Sequence, residues 1–353
     1  MSATVRLGFI GAGSIGNVHM EAFRNMPGAA LEAVTDVVRP LAEAAAARCG
    51  IPKVCDSAEE LLADGQIDAV VVGVPNRWHA EMAVAALRQG KHVLVEKPMG
   101  IHARAAREIV DAQRETGKAV VVGHQWRWEW LSLAIREQAA KGELGRVYAA
   151  KAGWFRRKGI PGWGTWFTQK DVSGGGPLID IGVHMIDLSL WLMGNPKPVA
   201  VSGSAFSAFG PARKGIGTWG KPNWDGYCDV EDMAMALIKM EDGSALALEV
   251  SWAVHMDTDA VPYIHLLGTE GGASWHLKKG KFLTEKFDKP LETQLEAPAG
   301  DAGSRVRLCE HFLACVRGEA EPLTSAVTGL TNNMILDAIY ESSQSGREVR
   351  LAW

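Results

Sequence analysis

The chain has 353 residues, a length that suggests two domains rather than one core. Hydrophobic residues make up 47% and charged residues 22%, the balance of an ordinary globular protein rather than a disordered chain. A net charge of −4 gives no basis for a nucleic-acid or anionic-membrane partner. Five cysteines are an odd number without metal-ligand spacing, so reduced thiols in a cytoplasm and no metal are expected. The first residues, MSATVRLGFIGAG, do not have the build of a signal peptide, and no apolar stretch reaches the roughly 18 residues that span a bilayer.

In chain order, TVRLGFI (4–10) has the continuous apolar look of a buried parallel strand. GAGSIG follows at 11–16 and runs straight into a helical pattern through Met26. Gly11, Gly13 and Gly16 fit a dinucleotide fingerprint: one for the tight turn, one for close approach of a pyrophosphate, one for packing of helix on strand. Ser14 and Ile15 lie between them, where the first N–H groups of the helix face the anion. Asp36 ends the second strand, LEAVTD, 20 residues beyond Gly16, the place of a carboxylate that accepts hydrogen bonds from a ribose. A 2′-phosphate there meets like charge, which favours NAD over NADP; Arg39, three residues on, is the one feature on the other side.

The alternation continues with helices over 39–49, 57–64, 76–88 and 103–116, and strands at 68–75, 91–98 and 119–123. Strands and helices in this rhythm predict an α/β domain, a doubly wound parallel sheet over 1–123, with ligands beyond the carboxyl ends of its strands. Pro75, Asn76, Glu96, Lys97 and Pro98 all fall at such ends. Lys97 stands between an acid and a proline at that rim, which favours a functional lysine over a solvated surface charge.

From 124 the character changes. A helix to about Lys141 leads into the strand RVYAAKAGWFRR. Of the 13 tryptophans, ten lie between Trp126 and Trp252. The stretch WFRRKGIPGWGTWF carries Trp154, Arg156, Trp163 and Trp166 among helix breakers, a loop whose rings and donors suit the C–H faces and hydroxyls of a sugar. GGGPLIDIGVHMIDLSLWLMG (174–194) reads as a helix with Pro177 in its first turn. Spacings of four and three put Asp180, His184 and Asp187 on one face, where a carboxylate and an imidazole can move a proton. Strands are expected at 197–207, 230–241, 244–254, 261–267, 272–277 and 280–285, a mostly antiparallel sheet, with helices over 303–317 and 324–344 to close. The Gly- and Trp-rich loop 208–228 is long enough to be a binding element.

GAGSIG, Asp36, VEKP at 95–98 and GGGPLIDIGVHMIDL together resemble the Gfo/Idh/MocA oxidoreductases, over nearly the full length. The resemblance implies an N-terminal Rossmann domain and an α+β domain over 124–353 whose large open sheet mediates a homodimer or homotetramer. It implies that Lys97 contacts the reacting hydroxyl and the cofactor, that Asp180 binds substrate and that His184 is the acid/base. Pro75, Asn76 and Glu96 would line the nicotinamide side, while His124 and Arg127 occupy a substrate-facing stretch; Asp187 is a further polar position, and His79 is as much a structural candidate as a functional one. The expected reaction is NAD-dependent oxidation of a secondary hydroxyl of a sugar, cyclitol or sugar derivative. An alternative keeps the same residues but performs hydrolysis, by transient oxidation, elimination, hydration and re-reduction. A non-catalytic nucleotide sensor is the third reading, disfavoured by the joint presence of Lys97, Asp180 and His184.

Overall fold

A computed structural model describes residues 3–257, 259 and 262–353. The chain divides into two units, residues 1–125 with 302–333, and residues 126–301 with 334–353.

In the first unit, strands β1 (Val5–Ile10), β2 (Ala29–Thr35), β3 (Lys53–Val54), β4 (Ala69–Val72), β5 (His92–Val95) and β6 (Val120–Val122) form one parallel sheet in the order β3-β2-β1-β4-β5-β6. Order and direction are those of a doubly wound dinucleotide-binding sheet. The central strands are apolar on both faces because helices cover both; Leu7, Phe9, Val70, Val93, Leu94 and Val121 are fully buried. The connecting helices are α1 (Ser14–Phe23), α2 (Arg39–Cys49), α3 (Ala58–Ala63), α4 (His79–Arg88) and α5 (Ala103–Thr116).

The second unit begins with α6 (Trp130–Ala140), β7 (Val147–Phe155) and the short α7 (Lys170–Ser173). A π-helical turn (Leu178–Gly182) then opens α8 (Val183–Leu192). Strands β8 (Pro198–Phe206), β9 (Met233–Met240), β10 (Ala245–Ser251), β11 (Tyr263–Gly268), β12 (Gly272–His276), β13 (Lys279–Lys286) and β14 (Lys289–Glu296) complete its sheet, followed by α9 (Ser304–Val316), α10 (Ala326–Ser345) and β15 (Val349–Arg350). The nine strands run β14-β13-β12-β11-β7-β10-β9-β8-β15, antiparallel except for the β7–β10 pair. Helix α8 packs on β7, β10 and β11, so the inward residues Ala152, Leu248, Val250 and Ile264 are buried. Residues of β7, β9 and β11, among them Lys151, Met235, Leu237 and Tyr263, border an open groove.

Two departures from the sequence reading have physical causes. The sequence reading assigns no strand at β14, because KPLETQLE has no apolar alternation; it is an exposed edge strand paired to β13 through a turn in which Phe287 and Asp288 both have positive φ. A single cut after residue 123 also differs from the observed division, since α9 and the start of α10 return to the first unit. There Arg305 Nη1 donates to Glu96 at 2.8 Å, Thr324 Oγ1 donates to the Val122 carbonyl at 2.7 Å, and Asn333 Nδ2 donates to the Gly100 carbonyl at 2.6 Å.

Candidate active site

Gly11 has φ of +102°, and a Cβ on it would lie 2.6 Å from the Gly73 carbonyl oxygen; one on Gly16 would lie 2.1 Å from that of Gly11. Both positions therefore demand glycine. Gly13 differs. It is the N-cap of α1, no side chain caps the helix there, and a Cβ on it would meet nothing within 4 Å. The first N–H groups of α1, at Ser14 and Ile15, thus border open space at a positive helix end, which fits the pyrophosphate of a dinucleotide. Asp36 stands at the tip of β2 and accepts the N–H of Ala12 at 2.7 Å and of Val38 at 2.8 Å, so the carboxylate is held against the turn. Arg39 is ion-paired to Glu43 and Asp56 on the surface, and a guanidinium so engaged is not poised for a 2′-phosphate.

Pro75 is extended and leads into a 3₁₀ turn at Asn76–Trp78, with Asn76 buried. The buried His79 imidazole lies 2.7 Å from the carbonyl oxygens of both Val74 and Pro98, which ties the turn after β4 to the corner after β5. Burial pushes its pKa below the ordinary histidine value, the carbonyls acting the other way. Lys97 is half-buried at that corner, joined to Pro98 by a cis peptide.

Glu96 does not line this rim as expected. Its carboxylate turns inward, accepting from His19 Nε2 at 2.7 Å and Arg305 at 2.8 Å, and taking the Lys97 N–H at 3.1 Å. A buried carboxylate requires such partners. Burial alone would raise its pKa, but Arg305 and His19 hold it well below the usual carboxylate range. Glu96 therefore positions the backbone of Lys97. His124 is also interior, with Asn332 Nδ2 at 3.2 Å from its Nε2.

In the second unit, Asp180 and His184 do lie on consecutive turns, but through the π-helical turn rather than a regular helix. The start of this segment is capped from afar: the buried Glu231 carboxylate accepts the N–H groups of Gly176 at 2.9 Å and Leu178 at 3.0 Å, and the Tyr340 hydroxyl at 2.9 Å. Burial raises the Glu231 pKa against those bonds. No sequence signal links Glu231 to a helix 53 residues away. Trp252, 1% exposed, donates its indole N–H to Asp180 at 3.1 Å. His184 stacks on Trp126 with ring centroids 4.8 Å apart, and Trp126 in turn leans on Trp154 at 5.1 Å. The Arg156 guanidinium lies 4.5 Å over the Trp154 ring. Burial draws its pKa down while the Asp180 charge draws it up. Carboxylate, imidazole, guanidinium and two indole faces thus surround one region.

Asp187 and Arg127 leave it. They form a buried bidentate pair, Nε to Oδ2 at 2.8 Å and Nη2 to Oδ1 at 2.7 Å, with Arg127 over the Trp191 ring. Both are 2% exposed, so this pair braces α8 from within instead of facing substrate. Trp163, read as a substrate contact, is likewise 2% exposed, its indole N–H donated to the Gly210 carbonyl; Trp154 and Trp166 are half-buried.

Among the described residues no group of three or more His, Cys, Asp or Glu is arranged to hold a metal ion, and no helix is long and apolar enough to cross a membrane. All five cysteines are free thiols; burial pushes Cys309 up to about 12 and Cys315 to about 11.

Comparison with known proteins gives the family and the fold. Residues 5–124 match the Gfo/Idh/MocA oxidoreductase family with NAD-binding Rossmann fold, and residues 132–274 match the Gfo/Idh/MocA C-terminal domain. A D-glucoside 3-dehydrogenase of Escherichia coli (strain K12) is 32% identical, over 99% of this chain and 98% of its own. A scyllo-inositol 2-dehydrogenase (NAD⁺) of Bacillus subtilis (strain 168) is 26% identical over 99% and 97%. A levoglucosan dehydrogenase solved with NADH and L-sorbose superposes with a TM-score of 0.89, covering 99% of each chain at 22% identity.

Proposed function

This chain belongs to the Gfo/Idh/MocA family of NAD-binding oxidoreductases, and from that premise we propose that it oxidises a secondary hydroxyl of a sugar, cyclitol or sugar derivative. The name of the Escherichia coli relative makes the C3 hydroxyl of a glucoside the first substrate to try. The observation that carries the reading is the setting of His184: a buried imidazole on an indole face, one turn from a carboxylate and near a stacked guanidinium. Neutral imidazole is a base suited to near-neutral pH, so His184 takes the hydroxyl proton. Asp180, steadied by the Trp252 N–H, accepts a hydrogen bond from a neighbouring hydroxyl and so orients the ring. Trp126 and Trp154 offer flat apolar faces to its C–H bonds. Lys97 supplies the cation that stabilises developing alkoxide, its backbone fixed through Glu96. Nicotinamide, when bound, accepts the hydride.

The test is spectrophotometric. With NAD and a methyl glucoside, NADH accumulates in proportion to substrate consumed; no NADH from a panel of glucosides, free sugars and inositols would defeat the proposal. Asp36 sets the cofactor: NAD binds more tightly than NADP, and Asp36→Ala narrows the gap, whereas tighter NADP binding by the unaltered protein would overturn the assignment.

One observation favours the hydrolytic alternative: Trp166, Phe167 and Trp219 pack together across the two Trp-rich loops, a surface that could hold a glycoside larger than one ring. Release of the leaving group without net NADH, with solvent deuterium incorporated at C2, would establish it. We further propose that the outer face of the second unit's sheet, with Met235 and Leu237 exposed, joins copies of a cytoplasmic homodimer or homotetramer. Sedimentation of Leu237→Asp at unchanged mass would refute that.

A further inference from the structure

Residues 156–168 and 208–228 are separate loops in the sequence and one object in the fold. The Ile160 N–H donates to the Gly215 carbonyl at 3.0 Å, and Gly217 donates back to Ile160 at 2.9 Å. Farther along, Gly162 donates to Trp219 at 2.9 Å and Asn223 donates to Trp163 at 2.7 Å. A Cβ on Gly164 would lie 1.9 Å from the Asn223 oxygen, and one on Gly226 1.9 Å from the Gly164 oxygen, so the loops touch backbone to backbone. The root is tied as well: the buried Asp232 carboxylate accepts the N–H groups of Phe209 at 2.5 Å and Gly210 at 3.0 Å. Loops zipped and anchored in this way form a fixed platform rather than a flap.

What the platform carries is aromatic. Trp166 stacks on Phe167 with centroids 3.8 Å apart, and Trp219 meets Phe167 edge-on at 4.8 Å. Trp224 leans on Trp163 at 5.6 Å, with the Arg213 cation 4.8 Å over the Trp163 ring. Yet Trp219 and Trp224 remain 52% and 53% exposed. Burial in the core does not account for indoles that a rigid scaffold holds half in water. Indole faces beside guanidinium and backbone donors are a surface for flat rings with hydroxylated edges.

Its place in the second unit points the same way. A Cβ on Gly159 would meet Arg156 at 2.6 Å and the Trp252 carbonyl at 3.1 Å, and Gly217 of the other loop lies against Gly159. Trp252 is the donor to Asp180. The platform therefore continues from the residues assigned to the reacting sugar.

We propose that the paired loops form a subsite for a second ring, glycosidically joined to the ring that is oxidised, with Trp219 and Trp224 as its contact faces. This rests on the dehydrogenase reading for the first ring and narrows the substrate class to two-ring glycosides. The ring's source is either another sugar or a planar aromatic group; both present a flat face.

The experiment compares the unaltered protein with a Trp219→Ala/Trp224→Ala double variant, using NAD with glucose, phenyl β-D-glucoside and cellobiose. The unaltered protein is expected to have kcat/KM at least tenfold higher on one of the two-ring probes than on glucose. The double variant loses at least five times more kcat/KM on that probe than on glucose, mainly through KM. Selective loss on phenyl glucoside identifies an aromatic ring, and selective loss on cellobiose a sugar. Equal loss on all three probes, or none, overturns the proposal. A changed sedimentation mass with unchanged ring preference also overturns it, marking the platform as a contact between copies. Calorimetric titration of the same probes into NADH-loaded protein separates this from the reading beneath it. If no probe yields NADH but the double variant binds the two-ring probe at least tenfold more weakly, the subsite stands and the dehydrogenase falls. If glucose yields NADH and titration shows no two-ring preference, the dehydrogenase stands and the subsite falls.

Discussion

Two helix N-termini in this molecule use the same physics to opposite ends. Helix α1 starts at Gly13 without a side-chain cap, its first N–H groups bordering open space. The segment bearing Asp180 and His184 starts at Gly176–Leu178 with those groups already taken by Glu231, a carboxylate of the protein itself. Each end carries a partial positive charge and orphan donors that seek an anion. Where the chain withholds the anion, the helix end is left open for a ligand's; where it supplies one, the helix becomes a fixed mount for side chains farther along. The contrast lies in the cap, not in the helix.

The largest expected effect breaks the mount's cargo. His184→Ala should lower kcat by about 10²-fold or more, the usual contribution of a positioned acid/base, with NAD affinity retained. Steady-state kinetics with a calorimetric NAD titration checks this, and near-full turnover would remove His184 from the reaction. Next, Gly13→Asp turns the first kind of helix end into the second. Asp is a favoured N-cap and Gly13 already has extended geometry, so stability should hold or rise by about 0.5 kcal/mol. NAD affinity should fall about 10²-fold, because the new carboxylate occupies the anion's place. Loss of stability together with affinity would mean that the open space at Gly13 is not a ligand site.

The converse change, Glu231→Ala, strips the internal cap. Two N–H groups and the Tyr340 hydroxyl lose their acceptor, at a cost of about 3 kcal/mol in stability. We expect kcat to fall about tenfold while the NAD dissociation constant stays put; the reverse pattern would contradict the division of labour.

The smallest effect is in pH dependence. Glu96 has a folded pKa held down by Arg305 and His19, so its stabilisation is present above the unfolded carboxylate value, about 4.3, and is lost as pH falls below it. The Glu231 pKa is raised by burial, so its contribution is full below that value and is lost as pH rises. Between pH 3 and 7 the stability penalty of Glu96→Gln should therefore grow up to about pH 5 and then stay level, while that of Glu231→Gln should stay level up to about pH 4.3 and then shrink. Thermal melts across that range check the opposed slopes, and parallel slopes would refute them. His19, pushed down by burial in spite of Glu96, adds a shared decline as pH falls below about 6.5.

The uncapped end was legible in the sequence and the capped one was not, for a physical reason. Gly11, Gly13, Gly16 and Asp36 act within one strand–turn–helix unit, so local spacing carries their meaning. Lys97, Asp180 and His184 stood out for the same reason. What failed was partnership at long range. Arg127 and Asp187 are both polar residues in a promising stretch, yet they satisfy each other in the interior across 60 positions. Glu96 resembles a rim residue until Arg305, 209 positions away, claims it. Trp126 and Trp252 frame His184 and Asp180, but nothing distinguishes them in sequence from other tryptophans.

The return of residues 302–333 to the first unit bears on how the protein is made. A ribosome delivers the whole parallel sheet by residue 122, but the guanidinium that neutralises Glu96 arrives only with residue 305 and the partner of the Val122 carbonyl only with residue 324. N-terminal domains generally fold first during synthesis. Here the nascent nucleotide-binding unit must wait with a buried acid that has His19 and the Lys97 N–H but not yet Arg305 as partners, while the intervening strands of the second sheet emerge complete. A chain halted at residue 301 should be cleaved by protease near β5 and β6, whereas one halted at 340 should resist. Equal resistance of the two would show that the early sheet needs no late arrival.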